Sequence, residues 1–160
     1  MKKLYDTIVV GGGHAGSEAA YISSKMGGKT LLITMNLQNI AQMSCNPAMG
    51  GVAKGQIIRE IDALGGRSAF VSDLSAVQFK MLNRSKGPAM WSPRAQSDRM
   101  LFSAVWRKEL EKQKNLDFCQ AMVSDLLIDN NKISGVVTST GTNLYAKTVI
   151  LTNGTFLNGL

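Results

Sequence analysis

The hydrophobic pattern is most regular at the start of the chain. Residues 4 to 10, LYDTIVV, are a short apolar and β-branched run that stops at three glycines, which predicts a buried strand. From His14 to Met26, HAGSEAAYISSKM is rich in small and helix-favouring residues and stops at Gly27-Gly28, which predicts a helix. KTLLIT, residues 29 to 34, reads as a second buried strand. Together they make one βαβ unit of roughly 30 residues, whose parallel strands need the helix as a crossover. After a polar loop, VAKGQIIREIDALGG carries apolar residues at Val52, Ile57, Ile58, Ile61 and Leu64. That spacing predicts an amphipathic helix ending at Gly65-Gly66.

Residues 76 to 82, AVQFKML, read as a strand, and NRSKGPAMWSPRAQSDR, residues 83 to 99, as a basic loop. Residues 97 to 114 read as a helix with Ser97 as its cap. Strands are expected at 116 to 120, 122 to 128 and 132 to 139, the last pair joined by the turn Asp129-Asn130-Asn131. A final strand, TVILT at 148 to 152, runs into NGTFLNGL. The chain has no internal repeat and no low-complexity segment.

Length and composition narrow the class. A chain of 160 residues suits one domain with a single core. Hydrophobic residues at 44% and charged residues at 18% describe a soluble globular protein. No apolar run approaches the roughly 20 residues that span a bilayer, so no membrane partner is expected. The start MKKLYDTIVV resembles a signal peptide only superficially, because Asp6 interrupts it and no cleavage site follows. A cytoplasmic location is expected. Cys45, Cys119 and the single histidine, His14, are too few for a zinc site, so no metal is expected and both thiols should be free. The net charge of +7 suits an anionic partner such as nucleic acid or phosphate.

The chemistry begins in GGGHAG. Gly11, Gly13 and Gly16 form GxGxxG between a predicted strand and a predicted helix. Gly11 permits the tight turn, Gly13 lets a pyrophosphate approach the backbone, and Gly16 lets the helix pack close to the strand. Gly12, His14 and Ala15 complete the loop, and the first-turn N–H groups of the helix face the phosphates. His14 is read as positioning the loop, not as an acid-base catalyst. About 20 residues on, where an acid normally holds the ribose, stand Thr34 and Asn36. At the other end, a strand followed by Asn153-Gly154-Thr155 resembles the late strand-glycine turn of flavoproteins with two dinucleotide-binding domains. Val123, in the preceding β-meander, would sit near the adenine. These features point to FAD rather than NAD, and to an α/β fold: a Rossmann-like FAD-binding domain of the glutathione-reductase-like type.

Five blocks now fall in order: GGGHAGSEAA, MSCNPAMGGVAKG, EIDALGG, LNRSKGPA followed by RAQSDR, and TNGTFLNG. Over essentially the whole chain they resemble the tRNA uridine 5-carboxymethylaminomethyl modification enzymes, the FAD subunit also called glucose-inhibited division protein A. The resemblance implies FAD-dependent modification of C5 of the wobble uridine in tRNA. It also implies NADH as reductant, methylene-tetrahydrofolate as carbon donor, a GTPase subunit as partner, and a homodimer at full length. Family members are several times longer. Residues 1 to 160 are therefore expected to be a truncated N-terminal segment of the FAD-binding domain, without the later FAD/NAD-binding and helical partner-binding regions, and inactive alone.

Against that resemblance, MSCNPAMGGVAKG leads towards the flavin ring. Cys45 is a candidate nucleophile for C6 of uracil, the alternative being a small thiol that shapes the loop. Lys54 could offset negative charge on reduced flavin or a phosphate. Arg84, Lys86, Arg94 and Arg99 form a candidate tRNA-phosphate or folate-tail patch, with Trp91 able to stack on a base; the plain alternative is a solvated basic loop. Cys119 reads as core. Competing readings are a folate- and FAD-dependent tRNA uridine methyltransferase, a generic FAD/NAD oxidoreductase, and a truncated domain with no catalysis of its own.

Overall fold

The computed structural model describes residues 4–156; residues 1–3 and the end of TNGTFLNG from Leu157 lie outside them. In chain order the elements are β1 (Leu4–Val10), α1 (His14–Lys25), β2 (Thr30–Thr34), β3 (Ala48–Gly50), α2 (Lys54–Ala63), α3 (Ser68–Ser75) and β4 (Ala76–Leu82). They continue with β5 (Ser92–Ser97), α4 (Arg99–Glu111), β6 (Leu116–Gln120), β7 (Val123–Asp129), β8 (Lys132–Thr138) and β9 (Asn143–Leu151). Single 3-10 turns lie at Leu37–Asn39 and Pro88–Met90. Instead of one core, the chain makes two compact units, the second being Ala41–Lys108. The cause is topological: the connection from β2 to its parallel neighbour β6 contains the whole second unit.

The first unit is a six-stranded sheet in the order β6-β2-β1-β9-β8-β7. Strands β6, β2, β1 and β9 are parallel neighbours, and β9, β8 and β7 form an antiparallel meander. Strand β2 is buried from Thr30 to Ile33, and β1 is buried at Tyr5, Ile8 and Val9. Tyr5, Ile8, Leu31, Ile33, Val136 and Ala146 make a core, against which the half-buried Cys119 and Val123 pack. Cys119 is core, as expected. The β7–β8 turn lies where expected, with Asn130 and Asn131 both at positive φ (48° and 60°), the conformation a tight hairpin turn needs. Strand β9 begins at Asn143, five positions before the expected start at 148, because its first residues pair with β8 while the rest pair with β1.

The second unit contains the three-stranded sheet β3-β5-β4, antiparallel throughout. Here the sequence reading needs five corrections, the first being β3 itself, which lies in the expected polar loop. The expected basic loop 83–99 contains β5, because pairing on both sides imposes a strand on a segment of low β-propensity. The helix starts at Arg99, capped by Asp98, whose Oδ1 accepts the Leu101 N–H at 2.9 Å; Ser97 belongs to β5 instead. Helix α3 was not expected, because its serines have low helix propensity; the buried Ser72 and Ser75 hydroxyls are satisfied by donating to the carbonyls of Ser68 and Val71 at 2.8 and 2.9 Å. Finally, the apolar stripe of α2 is covered only in part: Ile58 and Ile61 are half-buried, while Ile57 and the flanking Val52 and Leu64 are exposed by 53%, 56% and 83%.

Candidate dinucleotide site

In the first unit β1 ends at Val10 and the chain turns through Gly11, at φ +106°, into Gly13 at the N-cap of α1. A side chain at Gly11 would be strained in that conformation and would also meet the Thr152 carbonyl oxygen at 2.4 Å. A Cβ on Gly16 would lie 1.8 Å from the Gly11 carbonyl oxygen, so the helix rests directly on the loop backbone. Gly13 is different. Nothing lies within 4 Å of the position its Cβ would take, and both Gly13 and Ala15 are exposed.

The N-terminus of α1 has no side-chain cap and no acid in its first turn. Its N–H groups and the positive end of the helix dipole therefore face open space beside Gly13. An uncapped end of this kind, with open space beside Gly13, has the donors and the room that an anion such as a pyrophosphate needs. His14, half-buried, is the first helical residue and keeps the position expected for it.

Around the cradle, Thr34 ends β2 with its Cβ and Oγ1 each 3.0 Å from a Cβ built on Gly12. Asn36 is exposed, and its Oδ1 already accepts the Gln38 N–H at 2.8 Å, which leaves its amide N–H₂ to meet a ligand. Gly154 is exposed beyond β9, at φ +60° with nothing within 4 Å of its would-be Cβ. Sequence reasoning missed Thr152. Its Oγ1 donates to the Val10 and Gly11 carbonyls at 2.8 and 3.0 Å and pins the loop from the end of β9. Its position at the end of a strand pairing with β1 was the available signal.

In the second unit the MSCNPAMGGVAKG stretch is held by the segment from Pro93 to Arg99. The Arg99 guanidinium donates to the Cys45 carbonyl at 2.7 Å, and the Ser97 N–H donates to the Pro47 carbonyl at 2.7 Å. The Gly51 N–H donates to the Pro93 carbonyl at 2.8 Å, and Gly50 pairs with Arg94. Cys45 is exposed and a free thiol. Lys54, also exposed, opens α2. Arg84 and Lys86 are exposed in the turn between β4 and β5, and Trp91 is exposed just before β5. Among the described residues no group of side chains could hold a metal ion, and no helix is long and apolar enough to cross a membrane.

The family model for glucose inhibited division protein A matches residues 6–160. The chain belongs to the glucose inhibited division protein A family. A curated relative from Christiangramia forsetii, the tRNA uridine 5-carboxymethylaminomethyl modification enzyme MnmG, is 70% identical over 160 residues, covering 100% of this chain and 26% of its own length. The enzyme of the same name from Flavobacterium johnsoniae is 69% identical over 156 residues, or 98% of this chain and 25% of that protein. The crystal structure of Aquifex aeolicus GidA superposes with a TM-score of 0.94 at 48% identity, over 98% of this chain and 26% of that one. The chain thus spans about a quarter of the length of the relatives it matches. A probable FAD-dependent monooxygenase from Pseudomonas aeruginosa, at 15% identity and a TM-score of 0.65, covers 92% of this chain and 42% of its own. It shares the fold, an α/β FAD-binding domain of Rossmann-like type.

Proposed function

We propose that this chain is the N-terminal, pyrophosphate-holding segment of an FAD-dependent enzyme that modifies C5 of the tRNA wobble uridine. The observation that carries the reading is the open, uncapped N-terminus of α1 beside Gly13, in a chain whose relatives bear the name of that enzyme. The backbone of Gly12, Gly13, His14, Ala15 and Gly16 would hold the pyrophosphate through N–H groups. Thr34 and the Asn36 amide would reach the ribose, Val123 would flank the adenine, and the exposed turn at Gly154 would meet the cofactor from β9. FAD, when bound, supplies the redox and one-carbon chemistry that side chains lack.

The exposed Cys45 thiol is the candidate nucleophile for C6 of the uracil, an addition that would make C5 nucleophilic. Lys54 supplies positive charge at the start of α2. Arg84, Lys86 and Arg94 serve tRNA phosphates. Arg99 already donates to the Cys45 carbonyl, so its first role is to shape that loop. NADH as reductant, methylene-tetrahydrofolate as carbon donor, a GTPase subunit, homodimer formation at family length and a cytoplasmic setting complete the reading.

Gly13→Val tests it in the protein at family length, where the new side chain would fill the cradle and the purified protein should lose its yellow colour. Stoichiometric flavin in that variant would refute the placement. Residues 1–160 alone should be inactive and hold FAD weakly. Titration with FAD, followed by flavin fluorescence, checks this, and tight stoichiometric binding by a monomer would show a self-sufficient nucleotide domain.

A further inference from the structure

The β4–β5 hairpin carries a charge arrangement that neither the glycine loop nor Cys45 uses. Between Asp73 and Asp98 the chain has no acid, and its only charged residues are Lys80, Arg84, Lys86 and Arg94. The strand register sets Lys80 directly opposite Arg94, and on its other side Arg94 faces Gly50, which adds no side chain. Side chains of directly opposed residues leave the sheet on the same face, with Cβ atoms about 5 Å apart. The neighbouring rows on that face are Ala48–Gln96–Gln78 and Ser92–Leu82. None contains a carboxylate. Among the described residues no ion pair reaches either cation.

Two like charges in direct opposition weaken a strand pair, and a neutral residue at either position would remove the repulsion. We propose that the Lys80–Arg94 row seats one phosphate group from the backbone of a polynucleotide. The Arg94 guanidinium offers a planar fork to two phosphate oxygens, and the Lys80 ammonium adds a compact charge beside it. A polynucleotide fits better than a lone anion because the cations continue into the turn, at the exposed Arg84 and Lys86. The exposed ring of Trp91, just before β5, adds a stacking surface of the kind that binds unpaired bases. Lys80 thus joins Arg94 in one subsite, which deepens the tRNA reading above and rests on it.

The test uses the purified protein with Lys80→Gln, Arg94→Gln, the double variant, and Lys114→Gln as an exposed control outside the hairpin. Affinity for an unmodified tRNA transcript is measured over a series of salt concentrations. Each single hairpin variant should bind more weakly. The double variant should lower the salt slope by about one unit, the value for a single lost phosphate contact, while Lys114→Gln leaves the slope unchanged. In thermal melts without phosphate and at low salt Lys80→Gln should match or exceed the wild type, because the repulsion is gone. Inorganic phosphate should raise the melting temperature of the wild type and not that of the double variant. An unchanged slope in the double variant, or a fall near two units that would mean separate phosphates, overturns the proposal. So does an equal phosphate effect on both proteins. A phosphate effect confined to the wild type but without a slope change overturns the polynucleotide assignment. Flavin content is read on the same samples, and its loss in Gly13→Val bears on the cofactor alone, so the two readings fail separately.

Discussion

The Arg99 guanidinium donates a 2.7 Å hydrogen bond to the backbone carbonyl of Cys45, across 54 residues of sequence. An arginine that reads in the sequence as a phosphate ligand thus also contacts the loop that carries Cys45, through one of its five N–H donors. Because the bond is exposed, its loss should cost only about 1 kcal/mol of stability. Arg99→Ala should leave flavin content unchanged and raise hydrogen exchange of the amides in residues 44 to 48 several-fold. Arg99→Lys should restore protection only in part, since a flexible ammonium is not held at one position as the planar guanidinium is. Exchange indistinguishable from the wild type in Arg99→Ala would mean the loop is held without this contact.

Gly13 and Gly16 should separate cofactor binding from folding. Gly13 has an ordinary φ of −74° and empty space above it, so Gly13→Ala should fold with its melting temperature nearly unchanged while its FAD affinity falls. Gly16→Ala would drive a methyl group against the Gly11 carbonyl and should cost about 3 kcal/mol. Differential scanning calorimetry together with flavin titration of the two variants checks the contrast. Equal melting temperatures would contradict the close packing of α1 at Gly16 on the Gly11 carbonyl.

Cys45→Ser should leave flavin content and melting temperature close to the wild type, because the thiol is exposed and not part of a core. Formation of modified uridine in the protein at family length should fall by orders of magnitude, on the order of 10³-fold or more for the loss of an activated nucleophile. Full activity would make the residue a loop-shaping one. Loss of flavin as well would make it structural.

Asp6 gives the first unit an acid-sensitive tie. Its carboxylate accepts from the Lys147 ammonium at 2.6 Å and from the Lys29 N–H at 2.9 Å, and these contacts, Lys147 first, hold its pKa below the ordinary 3.8. The folded value lies below the unfolded one, so the tie is fully present above about pH 4 and is lost as the pH falls through the folded value. Asp6→Asn should flatten the decline of melting temperature with acid in that window. At neutral pH its effect should be small, since the pair is exposed and screened. An unchanged acid profile would place the sensitivity in other carboxylates.

What the sequence revealed was what short-range chemistry controls. The strand into Gly11, the helix from His14, the strand ending at Thr34 and the Asn130-Asn131 turn all rest on residues within a few positions of one another. The second unit was less legible because its elements depend on distant partners. Strand β5, with Ser92, Pro93, Arg94 and Gln96, is a strand only because β3 and β4 flank it. The three residues of β3 are too few to show a period. The α2 stripe obeyed helical spacing, yet Ile57 and Leu64 are exposed, since a periodic pattern marks an apolar face without supplying what covers it. The glycine loop was legible because each glycine answers a local demand, whereas Thr152 acts across 141 residues and left no local trace.

That separation also governs how the chain is made. Val10 accepts from Thr152, which follows it by 142 residues. During synthesis at ordinary speeds, β1 and β2 leave the ribosome on the order of ten seconds before β9 can pair with β1. Until β6 emerges to cover the β2 edge, this two-stranded ribbon is open on both sides, and until β9 emerges the β1 edge stays open, the arrangement that invites association with other nascent chains. Ribosome-bound chains halted before Asn143 should therefore depend on chaperones, and that dependence should drop once β9 has emerged.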